Sequence, residues 1–168
     1  MIAHNEKWNT KKYEGCPSAY TLLLLCSAMT VFAQKTSFSG NWIINKDKMD
    51  FGQAPEWVIP KNIKVEQGAD KLTLTRISLD QSLAEQAPIT ETLAFNGKPF
   101  LRTPASGPLV TTTLHWLNDQ SFTLVRKGTS IVTEIWTLED GGKTLVVNRD
   151  VTQDNGLKYN LRCYYTIQ

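Results

Sequence analysis

Histidine and cysteine are nearly missing from this chain. Its 168 residues include two histidines, His4 and His115, and three cysteines, Cys16, Cys26 and Cys163. No grouping of them has the spacing of zinc ligands, so no metal site is expected. A glycine-rich phosphate loop is missing too, and with it any nucleotide cofactor of the usual kinds. The carboxylates are scattered, so a paired acid for hydrolysis can arise only through the fold. Charge of one sign is not in excess. There are 18 basic and 16 acidic residues, a formal net charge of +2, which excludes bulk electrostatic binding of nucleic acid. From Phe38 onward no segment carries helical periodicity; "SLDQSLAEQAP" has room for a helical turn and reads as a loop.

The first 33 residues stand apart. Lys7, Lys11 and Lys12 precede the apolar run "YTLLLLCSAMTVFA". This order is that of a secretory leader, and Val31 and Ala33 suit the −3 and −1 positions of its cleavage site. The run is shorter than a membrane-spanning helix needs. The expectation is therefore cleavage after Ala33 and export to a periplasm, a cell surface or the medium, with no stable membrane insertion. Lipidation at Cys26 is the alternative, opposed by the bulky Leu25 before it. Removing three lysines and the two acids Glu6 and Glu14 leaves 15 basic and 14 acidic residues. Cys163 and His115 then stand alone. An exported chain with one cysteine has no internal disulfide. A Cys–His nucleophile pair would need these two distant residues to converge.

Residues 34–168 read as one domain of strands and tight turns. The runs "FSGNWIIN", "NIKVEQ", "KLTLTRISL", "ITETLAF", "KPFLRT", "LVTTTLHWL", "SFTLVRK", "SIVTEIWTL", "KTLVVNR" and "LKYNLRCYYTIQ" alternate apolar and polar residues and are rich in β-branched and aromatic types. Between them stand "QGAD", "FNGK", "LNDQ", "KGTS", "EDGG" and "QDNG", which supply residues that tolerate positive φ. Short connections make sequence neighbours into hairpins, and a long meander must close to hide its edges. The expected fold is all-β: an up-and-down antiparallel barrel of roughly eight to ten strands. A two-sheet sandwich is the alternative.

The opening "FSGNW", with Gly40 and Trp42, resembles the Gly-x-Trp start of lipocalins and their calycin relatives, the fatty-acid-binding proteins and avidins. The hairpin "WTLEDGGKTL" resembles one found before the last strands of small exported bacterial lipocalin-like domains. The resemblance implies a barrel whose Gly-x-Trp end is closed, and an arginine of the last strands stacked on the first-strand Trp. Arg162 is the candidate for that third signature position. The alternation speaks against it, because Leu161, Cys163 and Tyr165 form the apolar face and turn Arg162 outward. The helix pair that caps fatty-acid-binding proteins has no counterpart in "KDKMDFGQAPEWVIP", so a helical lid is not implied.

Four strands share a further feature. "LTLTR", "FLR", "FTLVR" and "LVVNR" end in Arg76, Arg102, Arg126 and Arg149, each in register with an apolar residue two positions earlier and, in all but Arg102, with another four positions earlier. In a meander these third, fifth, seventh and ninth strands run the same way. The four arginines are therefore expected inside one rim of the barrel, at the end opposite the Gly-x-Trp opening. Two strands start at that rim, and on them Glu91 shares a face with Ile89, Leu93 and Phe95, and Glu134 with Val132 and Trp136. The expected pairs are Arg76–Glu91 and Arg126–Glu134, with no obvious acid for Arg102 or Arg149.

One reading is structural, a set of salt bridges at strand ends. The other is functional: a mouth that holds the anionic head of a small apolar or amphipathic ligand by its guanidinium groups, with the apolar body against Trp116, Trp136 and Phe122. Trp57, in the first long loop, either packs over the barrel end or acts as a lid. The overall expectation is an exported binding protein, not an enzyme and without cofactor. The alternatives are a cell-envelope interaction module with a filled barrel, and a hydrolase-type enzyme.

Overall fold

A computed structural model describes residues 35–49, 51, 54–105 and 107–168; the expected leader lies outside them. The strands are β1 (Gly40–Ile44), β2 (Asn62–Gln67), β3 (Lys71–Ile77), β4 (Ile89–Ala94), β5 (Phe100–Arg102), β6 (Val110–Asn118), β7 (Ser121–Lys127), β8 (Ser130–Glu139), β9 (Thr144–Gln153) and β10 (Lys158–Ile167). They form one antiparallel sheet in the order β4-β3-β2-β1-β10-β9-β8-β7-β6-β5. Each strand pairs with its sequence neighbours except at two places. β1 pairs with β10, which curls the meander back on itself. β4 and β5 share no ladder, and the edges there are joined instead by an Asn96–His115 bridge and a 3.1 Å bond from the Gly97 N–H to the Leu114 carbonyl. The sheet is thus a nearly closed up-and-down barrel, not a sandwich.

The alternation in the sequence becomes inside and outside. Leu72, Leu74 and Arg76 of β3 are buried, while the threonines between them face out. Thr73 pairs with Thr92 at 3.1 Å and Thr75 with Thr90 at 2.9 Å on that outer face. In β10, Leu161, Cys163 and Tyr165 point inward. The segment "SLDQSLAEQ" is a loop held by Asp80, whose Oδ1 accepts from the N–H groups of Ser82 and Ala84 and from the Ser82 hydroxyl. Such a side chain offers the backbone an alternative to helix. The long β1–β2 connection contains two single 3-10 turns, Lys46–Lys48 and Glu56–Val58.

One end of the barrel is sealed by the chain entering β1. Phe38 is fully buried; its N–H donates to Gln67 Oε1 at 2.9 Å and its carbonyl accepts the Trp42 indole N–H at 2.9 Å. Around it Phe95, Trp116, Phe122 and Trp136 form a continuous aromatic cluster. Phe38 meets Phe122 edge-on at 4.7 Å, Phe95 stacks on Trp116 at 4.5 Å, and Phe122 stacks on Trp136 at 5.2 Å. Such pairs add about 0.5–1.5 kcal/mol each beyond the area they bury.

Candidate functional site: a buried arginine–glutamate layer

Arg76, Arg102, Arg126 and Arg149 come from β3, β5, β7 and β9, which run in the same direction; the first three stand at or next to their strand ends and Arg149 in the middle of β9. They converge on two carboxylates. Glu91, 1% exposed, receives Arg76 Nη1 at 2.7 Å, Arg126 Nη2 at 3.5 Å and Arg102 Nε at 4.0 Å. Glu134, 3% exposed, has Arg149 Nε at 3.5 Å and Arg126 Nη1 at 4.0 Å. Thr112 donates its hydroxyl to Glu91 Oε1 at 3.2 Å, and the Trp136 indole N–H donates to Glu134 Oε2 at 3.1 Å. Arg126 therefore bridges the two carboxylates and makes one polar layer across the barrel.

Two expectations about pairing need correction. Arg149 does have an inward acid. β8 and β9 place it directly opposite Glu134, a closer relation than that of Arg126, which stands opposite Val132 and reaches Glu134 diagonally. Arg102 also has one, because barrel closure brings β5 against Glu91 of β4 although the two strands share no ladder. The signature role expected for Arg162 fails as well. Its guanidinium lies outside, 2.9 Å from Glu139 and over the Tyr164 ring, and Trp42 is packed under Phe38 instead. Strand parity had already turned Arg162 outward.

The layer carries four cationic groups and two anionic ones. Burial pushes the Glu91 carboxyl up, but the charges of Arg76 and Arg126 outweigh it and hold it below the ordinary range. Glu134 behaves alike: burial opposes ionisation, and Arg126, Arg149 and Arg76 overcome it. The excess positive charge shows on Arg126. Burial, then repulsion from Arg76, pull it down to about 10 against the attraction of Glu134 and Glu91; it stays protonated at neutral pH. Among the described residues four buried guanidinium nitrogens make no hydrogen bond: Arg76 Nε and Nη2, and Arg102 Nε and Arg149 Nε, the last two in ion-pair contact only, 4.0 Å from Glu91 and 3.5 Å from Glu134. A buried donor without a partner costs about 1–3 kcal/mol, more when charged.

The three residues expected to line the ligand's apolar body have another place. Phe122 and Trp136 are 0% exposed, so no water-sized space touches them. Trp116 is half-buried against Phe95, with Lys35 over its outer ring at 4.7 Å. They form the packed floor beneath the charged layer rather than an open wall. Leu72, Leu74, Leu114, Leu124 and Leu145 are likewise at 0%, so the barrel interior beside them is filled.

Above the layer lies the β1–β2 connection. The Val58 carbonyl accepts from Arg149 Nη1, the Pro60 carbonyl accepts the Tyr165 hydroxyl at 3.1 Å, and Ile59 is buried in the core. Trp57 itself is 37% exposed; its neighbours, not Trp57, close the mouth. Solvent still reaches Arg102 and Arg126, whose side chains are 29% and 18% exposed. Val58 and Ile59 had no signal beyond lying in an apolar loop stretch.

The remaining chemistry-bearing residues do not converge. Cys163 points into the core, where burial pushes its thiol up to about 12. His115 stands on the outer face, its ring against Gly97. Among the described residues no three His, Cys, Asp or Glu side chains are grouped to hold a metal.

No protein-family model and no curated protein matches the sequence. The fold does have counterparts. A Schistosoma mansoni fatty acid binding protein in complex with arachidonic acid superposes with a TM-score of 0.52 at 11% identity, over 80% of this chain and 98% of that one. A zebrafish ileal bile acid-binding protein complexed with cholic acid gives 0.53 at 14% identity, over 79% and 100%. At these identities the likeness is one of fold, a nearly closed ten-stranded antiparallel barrel.

Proposed function

We propose that this chain is a non-enzymatic binding protein for a small amphipathic acid. The acid's anionic group enters the arginine layer from the β1–β2 side. The observation that carries the reading is the imbalance of that layer: four guanidinium groups around two carboxylates, with four buried guanidinium nitrogens that make no hydrogen bond among the described residues. A carboxylate or similar anion supplies acceptors and charge at once, and arginine is the side chain best suited to hold it. Both solved structures of like fold hold amphipathic acids, which supports the same ligand class. In this reading Arg102 and Arg126 receive the anion first. Val58 and Ile59 cover its apolar part in place of Trp116, Trp136 and Phe122, which stay as the floor. Glu91 and Glu134 keep the arginines in place.

The test is fluorescence titration of the purified chain with a dansyl-labelled undecanoic acid and with the corresponding alcohol. The acid is expected to bind at least about tenfold more tightly, and Arg102→Ala with Arg126→Ala to remove that preference. Equal binding of acid and alcohol, or no saturable binding of either, overturns the reading. A second reading has its own observation. The filled interior favours a non-enzymatic interaction module of the cell envelope, for which the charged layer is purely structural; failure of both titrations selects it.

We further propose that the chain is exported. The basic segment and apolar run before Ala33 support this. Mass analysis of the secreted product is expected to show Gln34 as the first residue; retention of residues 1–33 on an intracellular product overturns it.

A further inference from the structure

The seam between β1 and β10 is incomplete. β1 pairs with β10 only through Trp42–Ile167, Ile43–Thr166 and Ile44–Tyr165. The Asn45 N–H then bonds the Tyr164 carbonyl at 2.7 Å, the Tyr164 N–H donates to Met49 Sδ at 3.4 Å, and the chain turns away at Lys46. Strand parity fixes what remains open. Tyr164 and Gln168 direct backbone groups towards β1, whereas Leu157 and Ile167 direct theirs towards β9. Successive residues alternate, so Lys158, Asn160 and Arg162 present their N–H and C=O groups to the side beyond the end of β1, where no strand pairs with them among the described residues.

That edge is one wall of a groove of about 550 Å³. Phe51, Ala54, Pro55 and Val58 form the opposite wall, and Leu161 contributes from β10. The described lining residues include three cations, Lys48, Lys158 and Arg162, and no carboxylate. Arg162 is held by Glu139, and Asp150 stands across from Asn160 on the outer face of β9.

We propose that this groove receives an extended peptide segment that adds to β10 as a strand, alternating acidic and apolar residues. Main-chain bonds to Lys158, Asn160 and Arg162 supply the pairing, as in strand addition to a sheet edge. The period of two then decides the sequence preference. Side chains on the outer face meet Lys158 and Arg162 and are acidic; those on the inner face meet Val58 and Leu161 and are apolar. A second copy of this chain fits less well. Two-fold pairing of β10 about Asn160 sets Lys158 against Arg162 of the other copy, like charges directly opposite. This site is separate from the arginine layer, so its test does not depend on the binding of an acid there.

The test is a titration of the isotope-labelled chain with the capped hexapeptide Val-Glu-Val-Glu-Val-Glu, followed by amide chemical shifts. Saturable shifts at Lys158, Asn160 and Arg162 are expected. Replacing each Glu of the peptide by Lys is expected to weaken binding about tenfold or more, and Lys158→Glu in the protein to reduce it severalfold. Methylating alternate peptide nitrogens, which removes the strand donors, is expected to abolish it. No saturable shift at those amides, or undiminished binding of the methylated peptide, overturns the proposal. So does a concentration-dependent dimer in sedimentation that uses the same edge, or displacement of the peptide by dodecanoate at equal concentration.

Discussion

The two ends of the barrel solve the same problem with opposite chemistry. At one end Phe38 closes the sheet on Phe95, Trp116, Phe122 and Trp136, and the buried indoles there are satisfied, that of Trp136 donating to Glu134 and that of the neighbouring Trp42 to the Phe38 carbonyl. At the other, two carboxylates hold four arginines under the carbonyl of Val58, and among the described residues several guanidinium nitrogens make no hydrogen bond. Apolar contacts add up without regard to direction, so the aromatic end is stable as built. Charges taken out of water need partners in number and geometry. The contrast marks the arginine end as the part of the molecule whose energetics leave room for something else to bind.

Removing one carboxylate should break this contrast most severely. Glu91→Gln leaves Arg76, Arg102 and Arg126 without their shared anion, and urea unfolding is expected to show a loss of about 3–5 kcal/mol. Phe38→Ala opens the other end and should cost about 3–4 kcal/mol by the same measurement, the ordinary loss for a buried aromatic. If Phe38→Ala proves far milder than Glu91→Gln, the aromatic end has collapsed onto the gap.

Acid should separate the ends further. Glu91 and Glu134 have carboxyls held below the ordinary value of 4.5 in the folded chain. Their contribution to stability is complete above that value and is lost as pH falls through the depressed folded value. Stability measured by urea unfolding is therefore expected to be level near neutrality and to drop below about pH 4.5, with the drop reduced in Glu91→Gln. A pH-independent stability between 7 and 2 contradicts the paired layer.

Smaller effects test the closure between β4 and β6. Gly97 has φ of +77°, and a Cβ there falls within 3 Å of three atoms of the His115 ring. Gly97→Ala should cost about 1–2 kcal/mol, part of it recovered in a His115→Ala background because the contact goes while the backbone strain stays. The smallest change is expected at Trp57→Ala, within about 0.5 kcal/mol, because the side chain is exposed. A large loss there would mean that Trp57, and not Val58 and Ile59, closes the mouth.

Much of this was legible beforehand in the residue pattern. Period-two alternation placed Arg76, Arg102, Arg126 and Arg149 on inward faces of strands that run the same way, and hairpin adjacency brought Glu91 to Arg76. Asp80 and its neighbours read as a loop for the reason the structure displays, side-chain bonds to the local backbone. What stayed hidden depends on contacts between residues far apart in sequence. Glu134 stands opposite Arg149 because of the β8–β9 register, and alternation alone leaves register open by two residues at a time. Arg102 meets Glu91 only because the sheet curls until β5 lies near β4. The seal by Phe38 and the cover by Val58 come from segments without repeat or motif.

The all-β meander, the inward and outward faces, and the common direction of the four arginine strands follow from the residue pattern alone, because they depend on local geometry and a period of two. Which guanidinium meets which carboxylate, the packing of the aromatic residues into a floor instead of a cavity wall, and the short reach of β1 along β10 are settled only in the folded barrel. Those outcomes rest on register, closure and volume. These are properties of the whole barrel, to which each residue contributes and which no single stretch specifies.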